Sequence, residues 1–253
     1  MELSERHLAI MKFLRESGRA DVSVLAEATG ASEVTIRRDL EQLAALGALR
    51  RVRGGAVSDL ARGDEPPFVF RELENTGAKR AIGAAVAGLV QDGEAVLLDG
   101  GTTALHIARA LAGRGVTVMP LSLQAANVLA SAAPTRVILP GGELRPGELA
   151  VNGPLAEASL RALRFDTAIL TCCGVSVTDG ITAYNLADAA VKALAMSQAR
   201  RVLLAADAGK FTRTALAAVA PVDHIDVLVT DAATPQSTLE ALEALGIATH
   251  RAV

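Results

Sequence analysis

Two stretches of this 253-residue sequence group side chains suited to chemistry. Residues 33–53 hold five arginines against three acids: Arg37 and Arg38 side by side, then Arg50, Arg51 and Arg53. Guanidinium groups donate in a planar fork that matches phosphate oxygens and base edges, so this cluster suits a nucleic acid. Ser32 precedes them as a helix cap, and a capped N-terminus with its positive dipole end also favours phosphate. Thr35, Arg37 and Arg38 fall off the face assigned to the core (Val34, Ile36, Leu40), free to reach a major groove, while Arg50, Arg51 and Arg53 suit backbone or minor-groove contacts. The second stretch is Asp99-Gly100-Gly101-Thr102-Thr103, where an apolar run ends in a carboxylate, two glycines and two hydroxyls. Glycines admit a ligand close to the backbone, and hydroxyls with helix N–H groups suit a phosphate. It matches neither a Walker A loop nor a dinucleotide turn. Gly174, Lys192, Asp207 and Lys210 fall at expected strand ends or beyond them, where lysines can neutralise a phosphate and Asp99 and Asp207 can accept from sugar hydroxyls. Plainer accounts exist for all of these: a solvated charged helix, a structural turn, surface lysines.

Composition narrows the classes. With 51% apolar and 21% charged residues, a packed core is expected and disorder is not. The charged N-terminus lacks the apolar stretch of a signal peptide, and no apolar run is long enough to span a bilayer, so a cytoplasmic protein with no membrane partner is expected. Cys172 and Cys173 are adjacent, which suits neither a disulfide framework nor zinc ligands, and the four histidines show no metal spacing. Neither metal nor cofactor is expected. The net charge of −3 hides a change of sign: residues 1–57 carry +1 and the remainder −4.

These residues need elements to hold them. Ser4 is the expected cap of a first helix with Leu8, Met11, Phe13 and Leu14 apolar, stopped by Gly18. A short second helix, capped by Asp21 or Ser23 with Val24, Leu25 and Ala28 inward, ends at Gly30. Ser32 starts a third that runs to about Leu46 before Gly47. Leu49–Arg53 alternates like a strand and Gly54-Gly55 marks a turn. This is the order of a winged helix-turn-helix, assigned to residues 1–57. Residues 58–75, with Arg62-Gly63-Asp64-Glu65-Pro66-Pro67, read as a linker. Residues 76–253 form an α/β domain: helices at 79–90, 103–112, 123–132, 155–163, 186–199 and 236–245 alternate with strands at 95–99, 116–119, 135–139, 167–172, 201–205, 225–229 and 247–251. Such alternation predicts a mainly parallel sheet covered on both faces.

The N-terminal string resembles the winged helix of the DeoR family. The resemblance runs through Val24-Leu25-Ala26, Thr35-Ile36-Arg37-Arg38-Asp39-Leu40, Leu43…Gly47 and Leu49-Arg50-Arg51-Val52-Arg53-Gly54-Gly55-Ala56. It implies operator DNA binding, with the helix-turn-helix at about residues 20–39. Residues 68–231 resemble the DeoR-type C-terminal domain through Phe68…Arg71, Lys79…Ile82, Asp99…Thr103, Gly141-Gly142, Gly180-Ile181-Thr182, Ala189…Lys192, Ala206-Asp207…Lys210-Phe211 and Ile225-Asp226…Thr230-Asp231. That implies a fold shared with ribose-5-phosphate isomerase and CoA transferases, a phosphorylated sugar-like effector with Lys79 among its contacts, and repression of a sugar or carbon catabolism operon by a dimer or tetramer. Three departures are Pro120-Leu121 where the family usually has Thr-Asn, Thr171-Cys172-Cys173-Gly174 where it often has Gly-Ala-Asp-Gly, and Asp188 for Glu. Loss of an amide and a carboxylate points to an effector less hydroxylated than a common hexose phosphate.

Two other functions compete. A phosphosugar isomerase or acyl-CoA transferase on the same C-terminal fold would use Asp99, Asp207 or Lys210 in acid–base roles, but leaves the N-terminal domain idle. A helix-turn-helix serving protein contacts alone has no use for three arginines on the wing.

Overall fold

The computed structural model describes residues 3–58 and 65–253, apart from the side chains of Leu3, Ser4, Arg15 and Glu16. Two units separate between Glu74 and Asn75.

In the first unit, α1 (Leu3–Ser17) ends at Gly18, whose φ of +72° suits glycine. Strand β1 (Arg19–Asp21) leads into α2 (Val22–Thr29), closed by Gly30 in the left-handed region, then α3 (Glu33–Ala45), β2 (Leu49–Val52) and β3 (Gly55–Ser58). The three strands form an antiparallel sheet in the order β1-β3-β2, so the wing has one strand more than the sequence pattern predicts. Ile10, Leu14, Leu25, Ile36, Leu40 and Leu43 make the core.

Several expected positions change. Val34 is 75% exposed rather than core, because Ile36, Leu40 and Leu43 define the buried stripe and a residue two places earlier lies about 200° round the helix. On α2 the buried pair is Val22 and Leu25, leaving Val24 and Ala28 exposed. Asp21 is the N-cap of α2 without a side-chain bond, and Ser4 lies inside α1 rather than ahead of it. Of the expected linker, residues 59–64 lie outside the described residues. Residues 68–73 are helical: α4 (Phe68–Leu73) places Phe70 in the first unit's core, and Arg71 bonds the Pro66 carbonyl and pairs with Glu65. Two phenylalanines in six residues supply apolar surface that a free linker would leave in water.

The second unit follows the expected alternation: α5 (Thr76–Leu89), β4 (Ala95–Leu98), α6 (Thr102–Leu111), β5 (Thr117–Pro120), α7 (Leu123–Ala130) and β6 (Arg136–Val137). A hairpin of β7 (Glu143–Leu144) and β8 (Val151–Asn152) precedes α8 (Pro154–Arg161) and β9 (Phe165–Thr171). Then come β10 (Gly174–Ser176), β11 (Gly180–Ala183), α9 (Leu186–Ser197), β12 (Ala199–Ala205), a 3-10 turn (Ala208–Thr212) and β13 (Ala217–Ala220). The chain closes with β14 (Val227–Asp231), α10 (Gln236–Glu243) and β15 (Ala248–Ala252).

Seven strands form a parallel sheet in the order β15-β14-β12-β9-β4-β5-β6. Neighbouring residues pack to opposite faces: Val96 and Leu98 join α5, α6 and α7, whereas Leu97 joins α8, α9 and α10. After β4 the chain builds β5 and β6 to one side, then returns to lay β9 along the other. The sheet therefore reverses direction between β4 and β9, and the crevice beyond their carboxyl ends is where such sheets bind ligands. A second, antiparallel sheet of β10, β11 and β13, and the β7–β8 hairpin, were not legible as strands.

Candidate nucleic-acid interface and anion site

Ser32 caps α3: its Oγ accepts from the Thr35 amide at 3.2 Å and lies 2.9 Å from the Thr35 hydroxyl. Both hydroxyls are thus committed to each other and to the cap, which leaves the backbone end of the helix and Arg37 and Arg38 as its outward chemistry. Arg37 is exposed and pairs with Glu33 one turn back, at 2.7 Å. A DNA phosphate competes easily with such a surface pair. Arg38 is exposed and makes no ion pair among the described residues. On the wing, Arg50, Arg51 and Arg53 are all exposed, and Arg51 reaches Glu41 of α3 at 2.6 Å, tying the wing to that helix.

Asp39, flanked by those arginines, does something different. It is 2% exposed, accepts from Arg6 through two guanidinium nitrogens and faces His7 Nε2 at 3.4 Å. One carboxylate on α3 therefore takes the guanidinium fork of Arg6 on α1, with His7 close by but not hydrogen-bonded through Nε2. Sequence periodicity gave no warning of it, although an acid amid outward arginines was a usable signal.

In the second unit Asp99 stands at the β4–β9 reversal. Its Oδ1 accepts from the Gly100 amide at 2.7 Å, and its Oδ2 from the Thr171 amide at 2.8 Å, the Thr171 hydroxyl at 3.0 Å and the Lys192 ammonium. The Thr171 hydroxyl shares its one proton between Asp99 Oδ2 and the Gly100 carbonyl, 2.8 Å away, so the two strand ends are stitched together. Asp99 and Lys192, expected to meet a ligand separately, meet one another. Burial works against the charge of Lys192, but Asp188, 3.7 Å away, and Asp99 outweigh it and hold its pKa above the usual lysine value.

Beyond this stitch, Gly101 (φ +93°) turns the chain into α6 with no side-chain cap. Thr102 and Thr103 are each 5% exposed, and neither hydroxyl has a hydrogen-bond partner among the described residues. Hydroxyls uncommitted within the protein, beside uncapped helix N–H groups, are chemistry that suits an anion. Lys79 is buried on the face of α5 that also carries Gly83, where an added Cβ would meet the His106 backbone of α6 at 2.9 Å.

The other expected contacts lie around the ends of β9 and β12. Asp207 caps the 3-10 turn and accepts from Asn75 at 3.2 Å and the Gly209 amide at 3.1 Å, so it organises backbone. Gly174 leaves no room for a side chain, since a Cβ there would sit 2.0 Å from the Arg213 carbonyl. Leu121, Cys172 and Cys173 are buried in one apolar cluster with Val175 and Ile181. Burial pushes the Cys172 thiol up to about 12, with the positive charge of Lys210 pulling the other way. Arg213, which went unnoticed in the sequence, is half-buried at the same edge. Its spacing of three from Lys210, just after a strand-end Asp, was the available sign.

Both halves match family models: residues 6–61 the DeoR-like helix-turn-helix domain and residues 74–232 the DeoR C-terminal sensor domain. The chain is 34% identical over 232 residues to the transcriptional repressor AccR of Agrobacterium fabrum, covering 91% of this chain and 90% of that one. It is 32% identical over 247 residues to a putative aga operon transcriptional repressor of Escherichia coli O157:H7, covering 96% and 92%. Among solved structures, the ribose 5-phosphate isomerase of Methanocaldococcus jannaschii matches over 55% of each chain with a TM-score of 0.40 and 18% identity. This chain belongs to the DeoR family and is a DNA-binding transcriptional regulator, with a winged helix ahead of a sensor domain.

Proposed function

We propose that this regulator represses a sugar or carbon catabolism operon in the cytoplasm and is released from its operator by a phosphorylated, sugar-like metabolite. On the DNA side, α3 enters the major groove with Arg37 and Arg38 while Arg50, Arg51 and Arg53 hold the backbone. On the sensor side, the phosphate sits at the N-terminus of α6. The hydroxyls of Thr102 and Thr103, on largely buried residues and without a hydrogen-bond partner among the described residues, carry this reading, because a phosphate engages both together with the uncapped helix amides. Repressors among the relatives support the sign of regulation.

Switching is a linkage: an effector that binds one arrangement of a homo-oligomer better draws the population away from the arrangement that fits DNA. A dimer would read two half-sites about one helical turn apart. Leu121, Cys172 and Cys173 put apolar surface where hydroxyl-binding groups are usual, so the effector is less hydroxylated than a common hexose phosphate. Tight calorimetric binding of an ordinary ketohexose phosphate would sink that refinement. The isomerase alternative is disfavoured by the occupied oxygens of Asp99, which leave no ready general base there.

The test is a gel shift on the DNA upstream of the protein's own gene across a salt series. Affinity that falls steeply with salt is expected from phosphate neutralisation. Arg38→Ala should weaken operator binding by about 1–3 kcal/mol if the side chain reads a base. Salt-independent binding, or unchanged affinity in both Arg37→Ala and Arg38→Ala, would remove α3 from the interface.

A further inference from the structure

Lys210 and Arg213 are both half-buried, and neither side chain makes an ion pair or hydrogen bond among the described residues. Half-burial strips part of a cation's water, and a native fold normally supplies a partner in exchange. Asp207, which opens the turn, is bonded to Asn75 and the Gly209 amide and pairs with neither cation. The Arg213 guanidinium reaches back to the 3-10 turn, its Nη2 3.9 Å from where a Cβ on Gly209 would stand. Lys210 is close enough for its charge to act on Cys172. Both cations thus stand just beyond the carboxyl end of β12, with no carboxylate paired to either among the described residues.

This pair is distinct from the α6 loop but connected to it. Thr171, bonded to Gly100 ahead of α6, is the register partner of Ala205 at the end of β12, just before the 3-10 turn that carries Lys210. β12, β9 and β4 are successive neighbours, so two strand spacings, about 10 Å, separate the ends of β12 and β4. Two anion-binding ends within that reach, one of helix amides and hydroxyls and one of Lys210 and Arg213, fit one ligand charged at both ends.

We infer that the effector carries two anionic groups on a short polyol chain, a bisphosphate or a phosphorylated sugar acid, with Arg213 and Lys210 holding the second anion. This rests on the phosphate reading of the α6 loop and names the class of effector more narrowly. An Arg fork suits either a phosphate or a carboxylate, so both classes remain arms of the test.

Calorimetry on the full-length protein compares ribulose monophosphate, ribulose bisphosphate and a phosphorylated aldonic acid. Charge-assisted contacts to a second anion should favour one of the doubly anionic ligands at least about tenfold over the monophosphate. Arg213→Gln should abolish most of that ratio, and Arg213→Lys should restore part of it, with thermal melting as the check that each variant folds. A bisphosphate preference identifies a phosphate at the second end, and a preference for the acid identifies a carboxylate. Equal affinities in the unaltered protein, or a ratio that survives Arg213→Gln, overturn the inference while leaving the α6 phosphate site standing. Binding of none of the three overturns both.

Discussion

Replacing Asp39 by alanine tests whether the acid of the arginine-rich helix belongs to the fold rather than to the DNA surface. The carboxylate is 2% exposed and accepts from Arg6, whose side chain is 13% exposed, through both oxygens, with His7 Nε2 3.4 Å from one of them. Removing one member of a buried ion pair costs about 3–5 kcal/mol, because the remaining charge is left without compensation. Residual water access to Arg6 places this case at the low end, about 3 kcal/mol. The first unit ends at Glu74, and at roughly 0.05–0.15 kcal/mol per residue its whole stability is about 4–11 kcal/mol. Asp39→Ala should therefore consume a large fraction of that stability and leave the second unit alone. Hydrogen exchange on the full-length protein, read peptide by peptide, reports both. Amides of α1 and α3 should exchange roughly a hundredfold faster, those of β4, β9 and β12 at their former rates. The apolar pair Arg6→Met with Asp39→Leu should recover part of the loss, since no charge is then stranded. Unchanged exchange in α1 and α3, with operator affinity lost all the same, would refute the reasoning and assign Asp39 to the DNA interface.

Three further outcomes follow from the sensor domain. Burial raises the Cys172 thiol to about 12, so iodoacetamide at pH about 8 should leave it unlabelled until the protein is unfolded; mass spectrometry showing rapid native labelling would contradict its burial. Lys192, held above its ordinary value of 10.5, stabilises the fold fully below that pH and loses its contribution as pH rises through the folded-state value. The stability gap between the unaltered protein and Lys192→Met should thus be flat from about pH 7 to about pH 10 and shrink only above it, as urea melts will show; shrinkage already near pH 8 would argue against the Asp99 and Asp188 pairing. Gly174→Ala puts a Cβ 2.0 Å from the Arg213 carbonyl and should cost more than about 2 kcal/mol in a thermal melt, whereas an unchanged midpoint would mean that this approach is not tight.

Much of the architecture was legible because its signals are local. Glycines at 18, 30 and 47 all adopt the positive φ expected of helix stops. Apolar runs such as Val96-Leu97-Leu98 became strands buried on both faces. What escaped were strands of two to four residues in β1, β7, β8, β10, β11 and β13, too short for an alternating pattern to stand out. Val34 was misplaced for a related reason, since apolar character does not tell which face of a helix a residue takes.

The site divides the same way. The residue types at Asp99–Thr103, Lys192, Asp207, Lys210 and the arginines of α3 and the wing were readable as anion and nucleic-acid chemistry from the sequence alone. Which of them remain available to a ligand was decided by contacts across the chain. Asp99 meets Thr171 and Lys192, 72 and 93 positions away, and Asp39 meets Arg6 across 33. Partners at such separations are chosen by how strands and helices pack, not by anything within a helical turn of either residue. Only the tertiary structure could show that Asp39 and the Asp99–Lys192 pair are tied up within the protein, while Thr102, Thr103, Lys210 and Arg213 are not.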